Sequence, residues 1–393
     1  MILAATIVFF VASFAVVYPY IVYPVVLRLL TGIGRKYVDP HDDNVKGLPY
    51  VTLIVSAYNE QTVISKKVHN ALSLDYPEDR LEVLVVSDES SDGTDEIVLE
   101  IAAQSDRVHL LRQSQRHGKS AGLNNAIAIA RGDIVVFSDA NALYEPNSIR
   151  ELVRHFADAQ VGYVVGAALY SDSKGNRASE SEGIYWKLEL FLKQLESDYS
   201  SVVGGDGAIY AIRRKLFRPL KDDDISDFVN PLQIIASGFR GVFNANAQCY
   251  EDAGETFHKE FMRKRRIVNR SWRAVVRYRG LLNCRQHGRY IFMVASHKVI
   301  RWFALPFVAI AWIANSVLLG ESPFFVATWT TITSSIVLAV IGFILDRAGM
   351  SQPKMVSVFY YFYLVSVAGL LGIWDEFRGI RHATWDHIRG NKS

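Results

Sequence analysis

Ile134-Val135-Val136-Phe137-Ser138-Asp139-Ala140-Asn141 is the stretch on which the reading of this chain turns. Four consecutive apolar residues predict a strand buried on both faces, as in a parallel sheet. The strand ends in an acidic residue, and ligands of open α/β sheets gather at the carboxyl ends of strands. Asp139 and Asn141 offer oxygen donors two residues apart. Hard divalent cations that bridge phosphates take a few such oxygens and fill their shell from substrate and water. Turn chemistry alone would also explain an Asp-Ala-Asn triplet, so the neighbouring segments decide.

Those neighbours repeat one pattern. Val51-Thr52-Leu53-Ile54-Val55 predicts a strand, and Ser56-Ala57-Tyr58-Asn59-Glu60 the loop after it. The spacing predicts a helix over 62–73, a strand over 81–86 ending in Ser87-Asp88, and a helix over 94–104. A short strand over 108–111 and a helix over 121–130 lead into the strand quoted above. Further on, a helix is expected over 146–156, a strand over 161–169 and a polar loop over 172–182. Leu188, Phe191, Leu192 and Leu195 share one helical face. Strand and helix in alternation predict an α/β fold with a doubly wound sheet.

Charge is unevenly distributed along the 393 residues: Lys, Arg, Asp and Glu concentrate between Arg35 and Arg301, and both ends are apolar. A formal net charge of +3 is too small to imply nucleic acid. Cys249 and Cys284 form neither a disulfide framework nor a metal spacing. Residues 2–30 are almost continuously apolar, long enough to span a bilayer, and too long for a signal peptide. Arg28, Arg35 and Lys36 follow and place that end in the cytoplasm. Three more spans are expected over 302–319, 324–345 and 356–374. The expected division is a membrane helix over 1–31, a cytoplasmic domain over 47–280, an interfacial helix over 281–301, three membrane helices over 302–375 and a basic tail over 376–393.

Four spans would put the C-terminus outside, yet the tail carries Arg378, Arg381, Arg389 and Lys392. Either the positive-inside rule fails there or one span is re-entrant. Between Lys259 and Arg279 a basic run reads as a solvated helix face, or as a contact with anionic lipid or substrate phosphate.

Taken in order, these motifs resemble the membrane-integrated family 2 glycosyltransferases, which include hyaluronan, chitin-oligosaccharide and cellulose synthases. The resemblance implies a Rossmann-like nucleotide-diphospho-sugar transferase domain between one N-terminal and three C-terminal transmembrane helices. It implies a multi-pass protein of a bacterial inner membrane, with the catalytic domain cytoplasmic. Ala57, Tyr58 and Glu60 fall in the motif that lines the nucleoside pocket, and Asp88 at the carboxylate that meets the uracil ring. Gly118-Lys119-Ser120-Ala121-Gly122-Leu123-Asn124 is similar to the family's Gly-Lys-x-x-x-Leu-Asn, whose Lys reaches the nucleotide. Ser138-Asp139-Ala140-Asn141 sits where the Asp-x-Asp motif binds nucleotide and Mg²⁺ or Mn²⁺, with Asn141 for the second Asp.

In Asp222-Asp223-Asp224-Ile225-Ser226-Asp227, the resemblance makes Asp227 the general base, with Asp224 or Asp223 as neighbouring carboxylates. Gly204-Gly205-Asp206-Gly207 looks like the acceptor-side loop. Arg263-Lys264-Arg265-Arg266-Ile267 stands at the family's Gln-x-x-Arg-Trp, so Arg263 and Arg266 are expected at the pyrophosphate. The acceptor-stacking Trp is replaced by Ile267, with Trp272 the next aromatic. The implied activity is inverting transfer from a nucleotide-diphospho-sugar, expected to be a UDP-sugar, to a growing cell-surface polysaccharide. A single transfer to a lipid-linked acceptor stays open. So does a four-span transporter or scaffold with a nucleotide-sensing domain, although the spans carry almost no charge at depth.

Overall fold

The computed structural model describes residues 1–32, 47–171, 177–252 and 256–381. Arg35, Lys36, Arg389 and Lys392 lie outside the described residues.

Among the described residues, eight strands form one sheet: β1 Val51–Ala57, β2 Leu81–Ser87, β3 Val108–Arg112, β4 Ile134–Asp139, β5 Leu143–Tyr144, β6 Val161–Ser171, β7 Tyr210–Arg213 and β8 Arg240–Asp252. Their order is β3-β2-β1-β4-β7-β6-β8-β5. Strands β3, β2, β1 and β4 run parallel. Beyond β4 the expected parallel sheet gives way to a mixed one: β7 runs antiparallel to β4 and β6, β6 is parallel to β8, and β5 antiparallel to β8. An apolar run specifies that a strand is buried, not which way it points.

Alternation along β1 explains the two cores. Val51, Leu53 and Val55 face one side with Val83, Val85 and Val136, under helices α2 (Ile64–Leu72) and α3 (Thr94–Ala102). Ile54 faces the other with Leu84, Val135 and Phe137, under α4 (Lys119–Ile129), α6 (Arg177–Tyr199) and α7 (Ser226–Ala236). The short α5 (Ser148–Val153) lies between β5 and β6 in sequence. Helix α6 begins at Arg177, inside the expected polar loop, where Ala178, Glu180 and Glu182 all favour helix. Its Leu192 and Leu195 are buried as expected, while Phe191 is exposed.

Helix α1 covers Ile2–Thr31, with a π-helical turn at Tyr18–Val22 beside Pro19 and Pro24. Helix α8 (Phe257–Tyr278) carries the basic run. After α9 (Cys284–Trp302) the chain bends by 64° into α10 (Ala304–Ser316). The bend falls at Phe303, at the start of the span expected over 302–319, and Ala304–Ser316 of that span is one helix. Pro306 has no N–H to donate to the Trp302 carbonyl, and its ring crowds that carbonyl. At 13 residues, α10 is about 20 Å long, short of the ~30 Å bilayer core. Helices α11 (Pro323–Arg347) and α12 (Lys354–Phe377) follow. Among the described residues, α1, α11 and α12 are long and apolar enough to cross a membrane, or four spans if the bent pair counts as one.

Helix α12 packs along α8, and more than half of its most apolar stretch is buried there. Gly372 permits the approach, because a Cβ there would lie 2.5 Å from the Arg265 carbonyl oxygen. Arg265 forks onto Asp375 at 2.6 and 2.7 Å, and Arg273 Nε donates to Glu376 at 2.7 Å. The basic run is thus not a free solvated face. Arg381, just past α12, lies 3.6 Å from Asp223 of the sheet domain. The start of the tail thus sits against that domain, and Arg381 meets an acidic loop there.

Candidate active site

Three loops at the carboxyl end of the parallel strands are tied together by side chains. Asn59 after β1 and Glu89 after β2 adopt left-handed backbone, with φ of 52° and 60°. Asn59 N–H donates to Ser90 Oγ at 3.0 Å, and Glu60 N–H to Thr94 Oγ1 at 2.8 Å. Ala57 is buried at the end of β1, and the Arg116 guanidinium lies 4.0 Å over the half-buried ring of Tyr58. Asp88 is 3% exposed and accepts from Gln113 Nε2 at 2.7 Å and from the His117 and Gly118 N–H groups at 3.0 Å. Its carboxylate therefore anchors the loop that starts α4, a job the motif alone did not reveal.

Lys119 is the first residue of α4, and its Nζ lies 2.5 Å from Asp139 Oδ1. Asp227 lies in the first turn of α7, and its carbonyl accepts from Gly205 N–H. Gly207 shows how these groups converge. A Cβ on it would stand 3.5 Å from Asp139 Oδ2, 3.6 Å from Lys119 Nζ and 3.7 Å from Asp227 Oδ2. Segments near residues 119, 139, 207 and 227 thus meet around one point. Asp227 Oδ1 is shut off from solvent without a hydrogen-bond partner. Burial pushes the Asp227 carboxyl up, Lys119 pulls it down, and Asp206 and Asp139 add to the rise. Asp206 is held by Lys193 Nζ at 2.9 Å.

The neighbouring acidic residues are engaged elsewhere. Arg277 forks onto Asp223 at 2.7 and 3.0 Å and reaches Asp224 at 2.6 Å. Asp224 is 1% exposed and also accepts from Tyr278 OH at 2.5 Å. Both carboxylates are thus already matched by a guanidinium. Arg263 Nε donates to Glu260 at 2.7 Å, so its charge is already matched. Arg266 and the buried Arg270 stand one turn apart on α8. Arg270 donates to the Asp223 carbonyl at 3.3 Å and to that of Asp224, and its charge acts on Asp227. Arg270 and Lys193 were not singled out from sequence. The four-residue spacing from Arg266 marks the first, and nothing local marks the second.

Trp272 is a correction. Its ring meets Trp302 and Phe303 edge-on at 6.2 and 5.8 Å, at the bend between α9 and α10. Two residues on from Arg270, it points about 200° around the helix. It braces the bend and does not face Asp227.

Among the described residues, no group of three or more His, Cys, Asp or Glu side chains is arranged to hold a metal ion. Asp139 Oδ2 faces the space over Gly207 while Lys119 takes Oδ1, so Asp139 is the carboxylate there that suits a cation completed by phosphate and water.

The sheet, its loops and its apolar helices together have the GT-A-like α/β glycosyltransferase fold. The structure is similar to that of a mannosyltransferase from Pyrobaculum calidifontis solved in complex with GDP-Man and Mn²⁺, with a TM-score of 0.69 and 22% identity over 95% of this chain and 99% of that one. Residues 52–220 match the family model of Glycosyl transferase family 2. The beta-monoglucosyldiacylglycerol synthase of Trichormus variabilis is 30% identical over 164 residues, 41% of this chain and 34% of that protein. The poly-beta-1,6-N-acetyl-D-glucosamine synthase of Staphylococcus aureus is 31% identical over 126 residues, 32% of this chain and 30% of that protein. The chain spans about a third of the length of the curated relatives it matches.

Proposed function

We propose that the protein transfers a sugar, with inversion, from a nucleotide-diphospho-sugar to a glycan or lipid-linked acceptor at a membrane. The observation that carries this reading is the convergence of Asp139, Lys119 and Asp227 around Gly207. In this reading Asp227 takes the proton of the acceptor hydroxyl as that oxygen attacks the anomeric carbon from the face opposite the diphosphate. The bond to the diphosphate oxygen breaks, and Lys119 and Arg266 hold the charge that leaves. Asp139 and Asn141 would hold Mg²⁺ or Mn²⁺, which when bound neutralises the diphosphate as a Lewis acid. Ala57, Tyr58 and Glu60 line the nucleoside side, and Asp206 the acceptor side. UDP-sugars are the first donors to test and GDP-mannose the next. In this reading the protein sits in a bacterial inner membrane with the sheet domain in the cytoplasm, and the length and apolar character of α1, α11 and α12 support the membrane part.

One observation favours a single transfer to a lipid-linked acceptor over polymer synthesis. Trp272 is occupied at the helix bend and Ile267 stands where an acceptor-stacking aromatic would be, so neither position presents a ring face to a growing chain. The test is the full-length protein in lipid nanodiscs, incubated with labelled UDP- and GDP-sugars and extracted lipids. Product size and anomeric configuration are then read. A product inverted at the anomeric carbon and lost on chelation is expected. Nucleotide-sugar uptake into vesicles without sugar transfer would overturn the proposal in favour of a transporter.

A further inference from the structure

A second polar cluster lies away from the site, where α6, α1 and α9 meet. Glu196 of α6 is fully buried. Its Oε1 accepts from Tyr23 OH of α1 at 2.8 Å and lies 2.6 Å from His297 Nδ1 of α9. The other ring nitrogen of His297 lies 2.9 Å from Glu189, so the ring donates to both carboxylates only as an imidazolium. Glu189 also takes Lys298 at 3.3 Å and Arg301. Such a cluster is dear to bury, and its retention calls for a reason.

The remaining oxygen of Glu196 suggests one. Glu196 Oε2 accepts from the Val203 N–H at 3.0 Å, and Val203 opens the segment Val203-Gly204-Gly205-Asp206-Gly207. One turn earlier on α6, Lys193 holds Asp206 at 2.9 Å. One helix therefore grips that loop at two points, and one of its two grips is itself held by α1 and α9.

We propose that Glu196 is a positioning residue for the acceptor-side loop, locked by Tyr23 and His297 so that docking of α1 and α9 sets the loop beside Asp139 and Asp227. The acceptor part of this inference rests on the function proposed above; the brace itself does not. A loop with three glycines is otherwise free to take many backbone states. The charged acceptor and the two donors behind it hold one of them.

The experiment uses the full chain in nanodiscs and two variants, Tyr23→Phe, which loses only a hydroxyl, and His297→Gln. Hydrogen exchange of the segment 202–207 is measured together with acceptor KM and donor Kd. Exchange in that segment should quicken about tenfold or more, on the scale of a lost hydrogen bond to a charged group, while residues 51–57 of β1 keep their protection. Acceptor KM should rise by a similar factor with donor Kd unchanged. Unaltered exchange at 202–207 in both variants would overturn the brace, and so would a uniform rise that includes β1. A wild type that transfers no sugar would defeat the proposed function alone, since exchange still decides the brace.

Discussion

At the scale of single residues the site is a balance of charge around Gly207. Asp227→Asn should leave donor binding nearly intact and lower turnover by roughly 10²-fold or more, the usual loss for a general base. Near-normal turnover would remove Asp227 from the role. Burial raises the Asp227 carboxyl, and a base acts only when ionised. Activity should therefore be present at neutral pH and fall as pH drops through that raised value, with the acid limb above the ~3.9 of an ordinary Asp. A kcat/KM profile of the wild type reads this directly. Gly207→Ala would put a methyl within 3.7 Å of Asp139, Lys119 and Asp227. It clashes with none of them but fills the space they share. Turnover should drop roughly 10²-fold with stability unchanged, read by product formation alongside thermal unfolding.

At the scale of elements, α8 does the joining. One side carries Arg270 and Arg277 to the acidic loop before α7, and another packs on α12 through Arg265 and Arg273. Arg277→Ala removes the fork on Asp223, which keeps Arg273 at 3.4 Å, and leaves the buried Asp224 carboxylate with the neutral donors Tyr278 OH and Lys221 N–H in place of a guanidinium. A loss of roughly 3 kcal/mol is expected, as for a buried ion pair with one member missing. It would appear as a lower unfolding midpoint in detergent. Trp272→Ala should also lower that midpoint, because the ring supports the bend at Phe303, while the size of the product stays as in the wild type. Shortened products would return Trp272 to the acceptor site.

At the scale of the whole molecule, the apolar helices are not equivalent. Helix α11 is exposed along almost its whole length, whereas α12 is largely covered by α8 and its neighbours. The start of the tail meets Asp223. In sealed vesicles, a cysteine introduced at Arg378 should react with an impermeant reagent from the side that reaches the sheet domain. A cysteine at Gly320, in the turn between α10 and α11, should react from the opposite side. Equal labelling of both from one side would contradict the arrangement.

The sequence by itself determined the parallel half of the sheet and the loops that bear chemistry. Strands β1 to β4 are short, largely apolar runs separated by helices, and period and length are local properties that a sequence displays. Lys119 and Asp139 were legible because each sits at the end of an element whose boundary could be read. The tertiary structure alone decided the antiparallel strands beyond β4, the bend at Phe303 and the contact of Arg381 with the sheet domain. It also decided which acidic residues are paired: Asp224 is taken by Arg277 and Tyr278, more than fifty residues away in the chain. The Glu196 cluster likewise joins residues from three distant helices. A carboxylate in an acidic run looks the same in sequence whether it is paired or bare. Only packing brings a guanidinium to one and leaves an oxygen of another buried without a partner, and that difference in desolvation and charge is the support for Asp227 as the proposed base.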